Sequence, residues 1–82
     1  MSDVQLSQLN IGDRAIIKHF SSENSFIRRL QEMGLYPGTE IRIIKYAPFG
    51  DPLEIKIHGF HLSLRRAVAE NIYVTKQNES SE

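Results

Sequence analysis

Between Leu53 and His58 the chain alternates without a break, with Leu53, Ile55 and Ile57 apolar and Glu54, Lys56 and His58 polar. Successive side chains of an extended strand point to opposite faces, so this stretch is a half-buried strand of an antiparallel sheet. A strand with one wet face needs neighbours to pair with and a core to cover. The rest of the chain supplies both. Glu40 to Tyr46 (EIRIIKY) sets Ile41 and Ile43 on one face and Arg42 and Ile44 on the other. Arg14 to Phe20 (RAIIKHF) is a first strand rich in β-branched residues, and Ile72 to Val74 is a last one. Residues 59–62 (GFHL) turn into a further short strand, and Leu6 to Asp13 is a lead-in that closes one end of the core.

The period changes only once. Phe26, Ile27, Leu30 and Met33 recur at helical spacing, with Arg28, Arg29, Gln31 and Glu32 on the other side. This predicts an amphipathic helix of two to three turns, capped from within Ser21 to Asn24 and ended by Gly34 in a left-handed conformation. Pro37-Gly38 suits the centre of a type II turn. Ala47 to Pro52 (APFGDP) is a hairpin loop, and Ser63 is expected to cap a short helical turn through Leu64, Ala67 and Val68. Short strands with tight turns favour a closed sheet, which leaves few unpaired edges. The expected fold is all-β: an SH3-like five-stranded barrel with one helix after the first strand and a helical turn before the last. Ile41, Ile43, Ile55 and Ile57 should dominate its stability, at about 1.5–3 kcal/mol each. Residues 1–75 form a single domain in this reading, and 76–82 (KQNESSE) a disordered polar tail.

Composition narrows the function. Ten Lys+Arg offset ten Asp+Glu, without the basic excess expected of a nucleic-acid-binding surface. No cysteine is present, which removes disulfides, thiolate metal sites and thiol nucleophiles together. The first residues lack a basic and apolar leader, and no apolar run reaches the ~18 residues that span a bilayer. The cytosol is the simpler location. Acidic residues and histidines show no spacing suited to acid–base catalysis, the glycines form no phosphate cradle, and no cofactor motif occurs. The chain is not expected to be an enzyme.

Read in order, Arg29-Leu30, Met33 to Leu35, Pro37 to Thr39, Pro48 to Pro52, Leu62 to Arg66 and Ile72 to Val74 form a set that no one motif specifies alone. From Leu6 to about Thr75 the chain resembles the ferrous iron transport protein A family, FeoA. The resemblance implies a small cytosolic protein of SH3-like fold that accompanies FeoB, a membrane ferrous-iron transporter carrying a cytosolic GTPase domain. The same fold occurs as the C-terminal domain of some metal-dependent repressors, but here no helix-turn-helix region precedes it. The expected function is therefore a protein-binding module on the cytosolic region of a FeoB-like transporter. It would be recruited to the inner face of the membrane through that partner, without inserting directly and without nucleic acid. The alternatives are a regulator of the partner's GTPase or a metal sensor, and last a nucleic-acid-binding barrel.

The candidate contact residues are Phe49 at a hairpin tip, Tyr36 and Leu35 beside Pro37-Gly38, and the pairs Arg28-Arg29 and Arg65-Arg66. Aromatics in rigid turns make good anchors, because little entropy is lost when they bind. The competing expectation is that Phe49 folds back over the barrel end and that Tyr36 covers the helix base. The arginines would serve charge complementarity, or an arginine finger for the partner GTPase. They would otherwise be solvated or paired with acids such as Glu32 and Glu70. His58 and His61, with Glu54, are the candidate metal ligands, weighed against ordinary surface histidines.

Overall fold

The computed structural model describes residues 3–77. Six strands form one antiparallel sheet: β1 (Val4–Gln5), β2 (Arg14–Phe20), β3 (Glu40–Tyr46), β4 (Leu53–Ile57), β5 (Phe60–Leu64) and β6 (Ile72–Lys76), in the spatial order β1-β6-β2-β3-β4-β5. Helix α1 (Ser25–Glu32) follows β2, and the one-turn α2 (Arg66–Ala69) precedes β6. The sheet encloses one core that includes Leu6, Ala15, Ile17, Ile27, Ile41, Ile43, Leu53, Ile55, Ile57, Ile72 and Val74. The four isoleucines expected to dominate the core are each at most 1% exposed.

Two bulges help the sheet to curl. Register shifts between Ile17 and His19 against β6, and between Ile43 and Lys45 against β4. Each extra residue bends its strand and increases the local twist. The expected five strands become six because the two residues just ahead of the lead-in form β1. Val4 pairs with Val74 and Gln5 with Tyr73, ahead of a 3-10 turn over Leu6–Gln8. A two-residue strand is too short to leave a periodic signal. Tyr46 ties this lead-in to β3, its hydroxyl donating to the carbonyl of Leu9.

Helix α1 buries a narrower stripe than its spacing suggested. Ile27 and Leu30 are in the core, whereas Phe26 is 66% exposed and Met33, the C-cap, 40%. A two-turn helix presents only one i, i+3 pair squarely to the sheet, and Phe26 and Met33 flank it. Asn24 caps the N-terminus by accepting from the Ile27 amide at 3.0 Å. At the other end the Gly34 amide donates to the Gln31 carbonyl and the Leu35 amide to the Leu30 carbonyl, both at 3.0 Å, with Gly34 at φ 110°. This is a Schellman ending, which turns the residue after the glycine inward.

Ser63 does not cap α2. It lies in β5 opposite Glu54, and the Arg66 amide is satisfied instead by Asp51 Oδ1 at 2.9 Å, from the β3–β4 loop. Lys76, expected in the tail, is the last residue of β6, and the Gln77 amide donates to the Arg14 carbonyl. The rest of that tail, 78–82, lies outside the described residues.

Candidate functional site

Apart from Arg28 and Arg29 on α1, the candidate contact residues divide between the two ends of β4, about 13 Å apart at the rise of an extended chain. At the end where β4 begins, the loop from Ala47 to Pro52 is fixed by its own bonds. The Ala47 amide donates to the Pro52 carbonyl at 2.9 Å, and the Gly50 amide to the Ala47 carbonyl at 2.7 Å. Asp51 anchors the loop to α2, and the Asp51-Pro52 peptide is cis. Phe49 stands at the tip, 97% exposed. It does not fold back over the barrel. Arg65 and Arg66 lie at the same end, since Arg65 is the N-cap of α2. The Arg66 side chain pairs with Glu70 at 3.7 Å, on the surface, where such pairs contribute little.

Where β4 ends, His58 and Gly59 form a two-residue hairpin between Ile57 and Phe60, with φ of 46° and 88°. Both being positive is the mark of a type I′ turn, and histidine is among the residues that tolerate it. The His58 ring lies against the end of α1, with Nε2 3.3 Å from the Gly34 carbonyl oxygen. That oxygen can only accept, so the contact requires the proton on Nε2. Thr39 Oγ1 donates to the same carbonyl at 3.1 Å. The Pro37-Gly38 turn closes as expected, with Gly38 at φ 97° and the Thr39 amide donating to the Tyr36 carbonyl at 3.0 Å. Tyr36 is 54% exposed here. An open groove of about 660 Å³ runs between this turn and the hairpin, lined by Pro37 to Arg42 with Lys56, His58 and Gly59.

Leu35 must be withdrawn from the contact set. The Schellman ending drives it into the core, where it has no exposed surface. Arg28 and Arg29 are exposed on α1 and share a shallow depression with Ser25 and Glu32. They lie on α1, whereas Phe49 stands on the loop between β3 and β4. Exposed apolar surface that periodicity assigned to the core or left unremarked adds to the picture: Ile11, Phe26, Met33 and Phe60 are between 40% and 66% exposed.

The histidines have separate engagements. His61 Nδ1 lies 2.7 Å from Glu54 Oε2, while His58 faces Gly34. His19 stacks on Tyr73 with centroids 4.8 Å apart and lies 3.9 Å from Asp3. No group of three or more metal-ligating side chains occurs among the described residues. The Tyr46 hydroxyl is pushed above its ordinary range by burial, with Arg66 opposing and Asp13 reinforcing the rise. No helix among the described residues is long and apolar enough to cross a membrane.

Comparison with known proteins places these features. The profile of the FeoA domain matches residues 4–76. A Porphyromonas gingivalis protein, an Fe(2+) transport protein A/Fe(2+) transporter FeoB fusion, is 37% identical over 71 residues. The match covers 87% of this chain but only 8% of that much longer relative. The solution structure of a FeoA-like protein from Clostridium acetobutylicum superposes with a TM-score of 0.88 at 30% identity, over 100% of this chain and 95% of that one. Stenotrophomonas maltophilia FeoA, solved with zinc and described as a prokaryotic SH3 domain protein, has a TM-score of 0.80 at 24% identity, over 94% and 99% of the two chains. That likeness establishes the SH3-like fold.

Proposed function

The chain belongs to the FeoA domain family, and from that premise we propose that it is an accessory domain of ferrous iron uptake. In this reading it works in the cytoplasm by docking on the cytosolic region of a FeoB-like transporter. The observation that carries the reading is the Porphyromonas gingivalis relative, in which a domain 37% identical to this one is joined to FeoB in a single polypeptide. Two proteins that function together are the kind that tolerate such covalent linkage, because the linker raises their effective concentration without a new contact.

The surface suits docking better than catalysis. Phe49 is presented on a loop held by two internal hydrogen bonds and by Asp51, so binding it costs little ordering entropy. Full burial of a phenylalanine contributes about 1.5–3 kcal/mol, roughly 10- to 150-fold in affinity. Arg66, whose amide donates to Asp51 of the same loop, supplies a charge for the rim of the contact.

Co-purification from detergent-solubilised membranes with the tagged protein tests the reading. Recovery of the transporter, reduced by Phe49→Ala, is the expected result. Failure to recover it under gentle solubilisation counts against docking. Equal recovery by a folded Phe49→Ala variant removes that residue from the contact surface.

A further inference from the structure

The register of the sheet places Arg14 of β2 opposite Arg42 of β3, Arg42 opposite Lys56 of β4, and Lys56 opposite His61 of β5. Residues directly paired in this way point to the same face, and all four are exposed. The result is a ladder of basic side chains across four adjacent strands, about 14 Å from end to end at the usual strand spacing. Like charges directly opposite one another destabilise a sheet. Arg14 is relieved by Glu40 at 3.7 Å, and His61 by Glu54 at 2.7 Å. Arg42 and Lys56, at the centre, have no acidic partner among the described residues, and both line the groove between the Pro37-Gly38 turn and the His58-Gly59 hairpin. The chain as a whole is neutral, so this concentration of positive charge is local.

We infer that this ladder is the docking site for an acidic, extended segment of the partner protein. A segment of four or five residues spans the 14 Å, and acids at alternate positions share one face at about 6.8 Å intervals, within reach of long basic side chains. The Pro37-Gly38 turn and the hairpin form the walls, which His58 braces through Gly34. The inference rests on the docking reading above and adds the chemistry of the contact: the partner's segment is acidic, and association is salt-sensitive.

The test uses the full chain in two arms. In the first, a decaglutamate peptide is titrated while backbone amide NMR signals are followed. Shifts gathered at Arg14, Arg42, Lys56 and His61 support the ladder, and scattered or absent shifts overturn it. A thymidine decanucleotide that binds there more tightly than the peptide overturns the assignment to a protein segment. In the second arm, affinity for the transporter's soluble cytosolic region is measured for the natural chain, for Arg42→Glu/Lys56→Glu, and for Arg42→Gln/Lys56→Gln. Both variants should weaken binding by about tenfold or more. The glutamine pair, freed of repulsion, should melt about 1–5 °C higher than the natural chain. A partner that binds both variants as well as the natural chain overturns the ladder and leaves the docking reading intact. A partner that binds none of the three overturns the docking reading and, with it, the ladder's assignment.

Discussion

Replacing Gly34 by alanine should test the joint between helix and hairpin that shapes the groove. Gly34 has φ 110°, a conformation that costs an L-residue about 1–3 kcal/mol. An added Cβ would also stand 3.0 Å from His58 Cδ2 and 3.2 Å from His58 Nε2. The ring would have to move, and its bond to the Gly34 carbonyl would be lost at about 0.5–1.5 kcal/mol. The expected loss is thus about 1.5–4.5 kcal/mol, against a total stability of about 4–12 kcal/mol for a domain of 82 residues. Gly38 is the control. Its φ is 97°, but an added Cβ meets nothing within 4 Å, so Gly38→Ala should show the backbone cost alone. Urea unfolding followed by circular dichroism measures both. In a His58→Ala background the Gly34→Ala cost should shrink by about 0.5–1.5 kcal/mol, the coupling of the pair. Equal costs at the two glycines, with no coupling to His58, would refute the reasoning.

Leu35→Ala should cost about 2–5 kcal/mol in the same assay, as a core truncation, and a loss below about 0.5 kcal/mol would return Leu35 to the surface. Asp51→Ala removes the acceptor of the Arg66 amide and should cost about 0.5–2 kcal/mol, with faster hydrogen exchange at the Arg66 amide as its signature. Tyr46 contributes to the alkaline limit. Its hydroxyl is held protonated by burial, so above pH about 10 the native state binds more protons than the unfolded chain. Its contribution is complete below that pH and is lost as pH rises through the higher native value. Tyr46→Phe should be less stable than the natural chain at neutral pH and should lack this alkaline decline, as pH-dependent melting will show.

The strands were legible because their faces differ. Ile41, Ile43, Leu53, Ile55 and Ile57 alternate with polar residues, and that alternation survives into the sheet unchanged. The Gly34 and Pro37-Gly38 turns were legible because only special residues adopt those conformations. What escaped was everything decided between elements. The two residues of β1 carry no period, and their pairing with β6 spans almost the whole chain. Ser63 has the chemistry of a cap, but the Asp51 carboxylate, distant in sequence, reaches the α2 amide instead. Leu35 sits beside an exposed turn in sequence and yet faces inward, because the helix ending rotates it. The basic ladder is invisible in a neutral sequence, since Arg14, Arg42, Lys56 and His61 meet only through register.

Docking requires physical association with the transporter. Isothermal titration of the purified chain into the soluble cytosolic region of a FeoB-like transporter measures it without membranes or tags. Saturable binding that weakens with added salt and with Phe49→Ala is the predicted outcome. A flat titration of two folded proteins, at concentrations well above those of the cell, would contradict it.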